Sequence, residues 1–388
     1  MNAAPPKNIM LVAVEPSADA IGAKLYVKLK QMYPDAHFTG CGGQAMVAAG
    51  FTGAFSIEGF AVMGFTDVAK VLPQAYKRAA QLATIAATDK TDLVVFIDGW
   101  FFSRLTAERM RKKSPPTKLV KYVAPQVWAS RPQRVDFVRD NFDLVLALLP
   151  FEPPIFEAQG IACQFVGNPT FEQMRQAVKD PDGFRQRHDL GDAPILLCLP
   201  GSRKGEVKRL APVFQQSAKQ ICARIDNLRP VVVVASSVHE LIDQSKQNWP
   251  DNTIFIPASE RFDAFAAAQG AIAASGTVAT ELSLSNVPHI IAYKVDALTM
   301  SWAKRVMTTD FVTVLNIDAG HEIIPEFLQQ DCTADLIVPC MVDLFNNDQS
   351  RQIQLKAFKT FGDKLVPPGG DTVSAAANAI AALIYPEN

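Results

Sequence analysis

The chain has no surplus of basic charge. Lysine and arginine total 38 against 39 acids, a formal net charge of -1, and that balance argues against a nucleic-acid partner. It has no long apolar run either, and nothing approaches the roughly 18 residues needed to span a bilayer. The stretch from Asn8 to Val14 is apolar, but it is too short for a secretory signal and no cleavage region follows it. The 6 cysteines form no CxxC pair and no grouping with the 5 histidines. This speaks against a zinc site or a disulfide framework and fits free thiols in a cytosolic protein. Repeats and low-complexity tracts are absent. What remains is ordinary globular composition, 48% apolar and 20% charged, over 388 residues, a length that suits two or three domains.

Short apolar runs alternate with helical spacing through the first part. Ile9 to Val14, His37 to Gly40, Asp92 to Ile97, Lys118 to Val123 and Leu144 to Leu149 read as buried strands, with Ala20 to Met32 a helix after the turn Glu15–Asp19. Regular strand–helix alternation predicts a parallel, doubly wound sheet. Asp98 sits at the carboxyl end of its strand, the edge where open α/β sheets bind ligands. A carboxylate there can act as a general base or simply cap the next helix. Val166–Pro169 and Asp180–Gly183 read as a linker. Asp180 and Asp182 form an Asp-x-Asp pair, but between prolines and a glycine a turn is the better reading than a metal site. Phe60 to Ala80 combines Met63, Phe65, Val68, Val71 and Leu72 with Lys70, Lys77 and Arg78. Such a segment suits an acidic membrane face or a core helix with a solvated side.

A second α/β run follows. Ile195–Leu199 leads into Pro200-Gly201-Ser202-Arg203, with helix 209–226, strands 230–235 and 253–257, and helix 261–269 beyond. Ala271 to Ala274 is a strand that breaks at Ser275-Gly276-Thr277 and resumes as a helix carrying Glu281. A strand–turn–helix of this kind offers unpaired N–H groups and a favourable dipole to an anion. Gly276 permits close approach of a phosphate. Glu281, one turn on, can accept from a ribose diol, and Arg203 suits a diphosphate through its paired donors. An ordinary turn with Thr277 as N-cap would look the same. Strand 289–293 and helix 297–307 come next. The last segment, 333–384, reads as helical apart from Pro367-Pro368-Gly369-Gly370.

Taken together, the motifs resemble bacterial lipid A disaccharide synthases. In the second half they are Leu199–Arg203, Ala274–Thr277 with Glu281, Ala292-Tyr293-Lys294, Asn316 and Pro325–Gln329. In the first half they are Ala61-Val62-Met63-Gly64, Asp98, Tyr122–Ala129, Arg131, Arg134 and Leu149–Glu152. The resemblance spans about residues 8 to 345. It implies an α/β fold of two doubly wound Rossmann-like domains facing a cleft, the GT-B architecture. Residues 1–168 would be the acceptor and membrane-facing domain, joined by a C-terminal helix at about 350–388, and 169–349 the donor domain.

The implied activity is an inverting, metal-independent hexosyl transfer in lipopolysaccharide biosynthesis, without a cofactor. It joins UDP-2,3-diacylglucosamine to 2,3-diacylglucosamine 1-phosphate and releases UDP. Asp98 and Arg203 would be catalytic. UDP would lie on Gly201, Ser202, Arg203, Ser275, Gly276, Thr277, Glu281, Asn316 and Gln329. The acceptor side would hold Glu15, Ser17, Asp19, Met63, Gln126, Trp128 and Arg131. The implied setting is cytoplasmic, peripheral on the anionic inner face of the inner membrane, with a homodimer permitted by the helical tail.

The departures from the family pattern are specific. Pro16 and Ala18 stand where its first loop has Thr and Gly, and Pro16 removes an N–H. Gly99-Trp100-Phe101-Phe102-Ser103 replaces Ala-Pro-Asp-Phe-Asn. Asn168 replaces a histidine, Ser130 a tryptophan and Leu315 a proline. Most of these fall in the first half or the linker, so two other readings stay open. One is a related UDP-sugar transferase with another acceptor. The other is a nucleotide- or lipid-binding paralogue without turnover.

Overall fold

A computed structural model describes residues 5–57, 68–296 and 307–385. The chain forms two compact units, Met1–Glu172 with Leu365–Asn388, and Gln173–Lys364.

The first unit is built on strands β1 (Asn8–Ala13), β2 (His37–Gly42), β3 (Phe55–Ser56), β4 (Leu93–Ile97), β5 (Lys118–Tyr122), β6 (Leu144–Ala147) and β7 (Cys163–Phe165). All neighbours are parallel, in the order β3-β2-β1-β4-β5-β6-β7. Helices cover both faces, which is why the strands are near-continuous apolar runs. Met10, Val12, Val94 and Phe96 face a core completed by Ala75, Ala79, Leu82 and Ala86 of helix Val68–Thr88. Ile9, Leu11, Val95 and Ile97 face the other way, onto Leu25 and Leu29 of helix Pro16–Met32 and Ala376 and Ile380 of helix Thr372–Ile384.

Strands β8 (Ile195–Leu199), β9 (Arg229–Val234), β10 (Ile254–Pro257), β11 (Gly270–Ala273), β12 (His289–Tyr293) and β13 (Glu326–Leu328) make the second sheet, parallel and ordered β10-β9-β8-β11-β12-β13. The α/β class and the two doubly wound sheets are those the sequence pattern implies.

Several boundaries differ. The first helix begins at Pro16, inside the expected turn, because proline at the first helical position lacks an N–H that would have no intrahelical partner anyway. The expected turn at Asp180 is a helix start, Pro181–Arg187, with the Asp180 carboxylate accepting from Gly183 N at 2.9 Å. The chain returns to the first unit at Leu365, later than about 350. Helix Asp348–Lys364 stays with the second unit through Gln354, which bonds both His289 N and His289 O, and Phe358, stacked on the His289 ring at 5.3 Å. Helix 297–307 lies, but for its last residue, outside the described residues. Among the described residues no helix is long and apolar enough to cross a membrane.

Candidate functional site

In the second sheet the order reverses between β8 and β11, and the two loops expected to hold an anion leave these adjacent strands. Ala274 N bonds Leu199 O at 2.8 Å, and a Cβ on Gly201 would lie 3.7 Å from the Ala274 Cβ. Gly201 has φ +105° and would clash with the Glu206 carboxylate if it carried a side chain. Gly276 has φ +148°, a region open in practice to glycine alone, with open space where a Cβ would be. It, and not Thr277, is the N-cap of helix Thr277–Leu284, and no side chain caps that end. The Arg203 guanidinium is largely exposed and meets Glu206 at 3.0 Å, and the Tyr293 hydroxyl donates to the same Glu206 oxygen at 3.3 Å. Glu281 is buried. Burial raises its pKa, opposed by Arg261, whose Nε lies 3.5 Å from the carboxylate. Arg261, missed at the sequence level, starts the helix that follows β10, and its Nη1 donates at 3.0 Å to the carbonyl of Ala258, which lines a cavity of about 450 Å³ with Val234, Ser236 and Phe255.

Two expected donor-side residues are engaged within the fold. Asn316 is fully buried, and its amide donates to Ile324 O and Glu326 Oε1 while accepting from Ile323 N and Ile324 N. No donor or acceptor direction is left for a ligand, so it is a clasp for the loop before β13. Gln329, with φ +52°, pairs its amide with Val295 N at 3.1 Å and Val295 O at 3.3 Å in the orientation that satisfies both ends, fixing the segment after β12.

In the first sheet the order reverses between β1 and β4, and Glu15 and Asp98 follow those two strands. Asp98 takes φ +50° and Gly99 φ +53°. Asp98 N donates to Tyr122 O at 3.0 Å, and Ser103 Oγ donates to Asp98 O at 2.8 Å. A second donor on that carbonyl is Lys121 Nζ at 2.6 Å, which also reaches Tyr122 O at 3.2 Å. Lys121 is 1% exposed. Burial lowers its pKa to about 8, and the carboxylates of Asp98 and Glu15 oppose the shift. The Glu15 pKa is raised, first by desolvation, then by Asp98, with Lys121 opposing. Lys121 was not among the expected site residues. Its signal was a lysine inside a central parallel strand buried on both faces, where charge needs a reason.

Asp19, expected on the acceptor side, is engaged by the backbone and lines a cavity. Its buried carboxylate accepts from Gly43 N at 2.7 Å, Ala45 N at 2.8 Å and Met46 N at 3.1 Å, tying down the glycine loop after β2. That cavity, of about 910 Å³, is also lined by Pro16, Val47, Phe55 and Ile57 among others. Ser17 and Gln126 are exposed. Trp128 is held by Glu152, which accepts from its indole N–H at 3.0 Å and from Leu148 N and Leu149 N. Burial raises Glu152 to about 7 against those three donors. Arg131 is exposed at φ +53°. Met63 and the motif 61–64 lie outside the described residues, as does Phe65. Among the described residues no three His, Cys, Asp or Glu side chains group as metal ligands.

Two parallel doubly wound units with open loops at their strand ends define the GT-B class. A structure titled as a putative UDP-N-acetylglucosamine 2-epimerase from Listeria monocytogenes matches with TM-score 0.65 at 12% identity, covering 99% of this chain and 98% of that one. One titled MurG from Acinetobacter baumannii matches with TM-score 0.57 at 12% identity, covering 97% and 99%. At such identities the likeness is one of fold alone. Sequence narrows it further. The family described as lipid-A-disaccharide synthetase matches residues 9–379. A lipid-A-disaccharide synthase of Rhodospirillum centenum is 37% identical over 382 residues, 97% of this chain and 95% of the relative. The chain belongs to the lipid-A-disaccharide synthase family and is a glycosyltransferase.

Proposed function

We propose that the chain transfers 2,3-diacylglucosamine from its UDP derivative to 2,3-diacylglucosamine 1-phosphate, forming a β-1,6 disaccharide with inversion and without a metal. The observation that carries this reading is the pair of loops Gly201–Arg203 and Ser275–Thr277 on adjacent strand ends, in a chain matched to these synthases along its length. In the reading, the UDP diphosphate lies on the uncapped helix end at Thr277, with Arg203 as its cation and Glu281 on the ribose. The acceptor 6-hydroxyl oxygen attacks the donor C1 as the C1–oxygen bond to UDP breaks. The hydroxyl proton passes to the Asp98 carboxylate, and charge on departing UDP is met by Arg203 and helix N–H groups. The apolar wall beside Asp19 suits an acyl chain.

The altered segments at Pro16, Ala18, Phe101 and Asn168 favour a second reading, a transferase with another acceptor or a binding protein without turnover. UDP release from UDP-diacylglucosamine, measured with and without the acylated acceptor and repeated in EDTA, separates them. Acceptor-dependent release that survives EDTA is expected. Acceptor-independent release, no release, or release restored only by Mg²⁺ would overturn the proposal. Peripheral attachment to an anionic membrane, through the 63–72 segment, belongs to the same proposal. Vesicle flotation should fall when Val68 and Leu72 become Glu, and equal flotation would reject that surface.

A further inference from the structure

The segment after Asp98 departs from the family pattern, and the departure builds something. Trp100, at the start of helix Trp100–Lys113, meets the Phe137 ring edge-on at 5.9 Å. Each ring carries a guanidinium. Arg134 Cζ lies 5.1 Å from the Trp100 centroid, and Arg104 Cζ lies 5.3 Å from that of Phe137. Arg131 lies in the same turn, where Arg134 N donates to Arg131 O at 3.0 Å, and it and Arg104 are like charges that act on Arg134.

Some arginines meet carboxylates, as Arg187 does Asp263 and Arg351 does Asp348, and others lie over a single ring, as Arg78 does Phe55 and Arg109 does Tyr76. Among the described residues, Arg104 and Arg134 have no carboxylate within 4.0 Å. Glu108, one turn beyond Arg104, is engaged by Lys112 at 2.9 Å. Desolvation and the two like charges hold the Arg134 pKa below its usual value. Like charges gathered on an aromatic platform are unfavourable alone and favourable around an anion. A guanidinium held over a ring can still present N–H edges for bidentate contact with phosphate.

We propose that Arg104 and Arg134, with Arg131, form a site for a phosphomonoester, the phosphate carried by the sugar acceptor. The choice of that phosphate rests on the transferase reading. It places the acceptor's charged end on the loop that presents Asp98, since Trp100 is the second residue after it. The head group of an anionic phospholipid offers related chemistry, so the test must separate the two sources.

The test compares transfer to the acylated glucosamine 1-phosphate and to the same acceptor without its phosphate. The parent should prefer the phosphorylated acceptor by about tenfold or more in kcat/KM. In the Arg104→Gln, Arg134→Gln double variant the preference should fall to about twofold through acceptor KM, with kcat and donor KM little changed. Arg134→Lys, which keeps charge without the fork, should recover part of it. A preference kept in the double variant overturns the proposal. A second arm titrates glucosamine 1-phosphate by calorimetry without donor. Arginine-dependent binding in a protein that transfers to no acceptor upholds the site while the transferase reading fails. Transfer with arginine-independent binding does the reverse. If phosphatidylglycerol vesicle flotation is lost in the double variant while phosphate preference stays, the cluster serves a lipid surface and the proposal falls.

Discussion

The Lys121 ammonium donates to the carbonyl oxygen of Asp98 at 2.6 Å, from inside the first sheet. With Ser103 it gives that carbonyl two donors and holds Asp98 at φ +50°, a conformation that costs free energy for any residue but glycine. The proposed base is thus aimed by its backbone, and Lys121 is a positioning residue. Lys121→Met should lower kcat by roughly 10–100-fold, the scale of a displaced reacting group, and leave UDP affinity unchanged. Intact kcat in a folded variant would remove Lys121 from this role.

The same lysine sets a pH signature. Its folded pKa, about 8, lies below the unfolded value near 10.5. Between the two, the unfolded chain holds more protons, so folding stability rises with pH across that window. Glu15 and Asp98 are the charged groups that act on it. Denaturation at pH 7.5 and 9.5 should show the parent gaining on Lys121→Met at the higher pH. Turnover should fall above about pH 8, as the ammonium loses its charge, and Lys121→Met should lack that limb.

At the proposed donor loops, Arg203→Ala should weaken UDP binding by about 1.5–3 kcal/mol, the scale of a charged hydrogen bond. Glu281→Ala should weaken it too. Calorimetry giving unchanged affinity in both variants would sink the donor assignment.

Asn316 sharpens the distinction between a family-like motif and a ligand contact. Asn316→Ala removes the partner of buried backbone groups and should lower stability by about 1–3 kcal/mol or more. UDP affinity per folded molecule should stay within about twofold, since no contact with a charged ligand is lost. Affinity lost without loss of stability would make Asn316 a ligand contact.

Much of the fold was legible because parallel strands buried on both faces leave apolar runs, as in Leu93–Ile97 and Ile195–Leu199. The strand-end loops were legible for a related reason, since Gly201 and Gly276 need backbone angles that few residues tolerate. Roles inside motifs were not. Asp19 and Asn316 carry groups a ligand could use, yet both spend them on backbone partners brought in by tertiary folding. Lys121 was hidden for the opposite reason. Its charge looks like solvent-facing punctuation until the strand is seen to be central. Short strands such as Phe55–Ser56 and Cys163–Phe165 left no periodicity to read.

The most direct test is sugar transfer by Asp98→Asn, which keeps the side chain's shape and removes the proposed base. Transfer from UDP-diacylglucosamine to the acylated acceptor should fall by about 10²–10⁴-fold with UDP affinity unchanged. Transfer within about threefold of the parent, well under a base's share, would contradict the role given to Asp98.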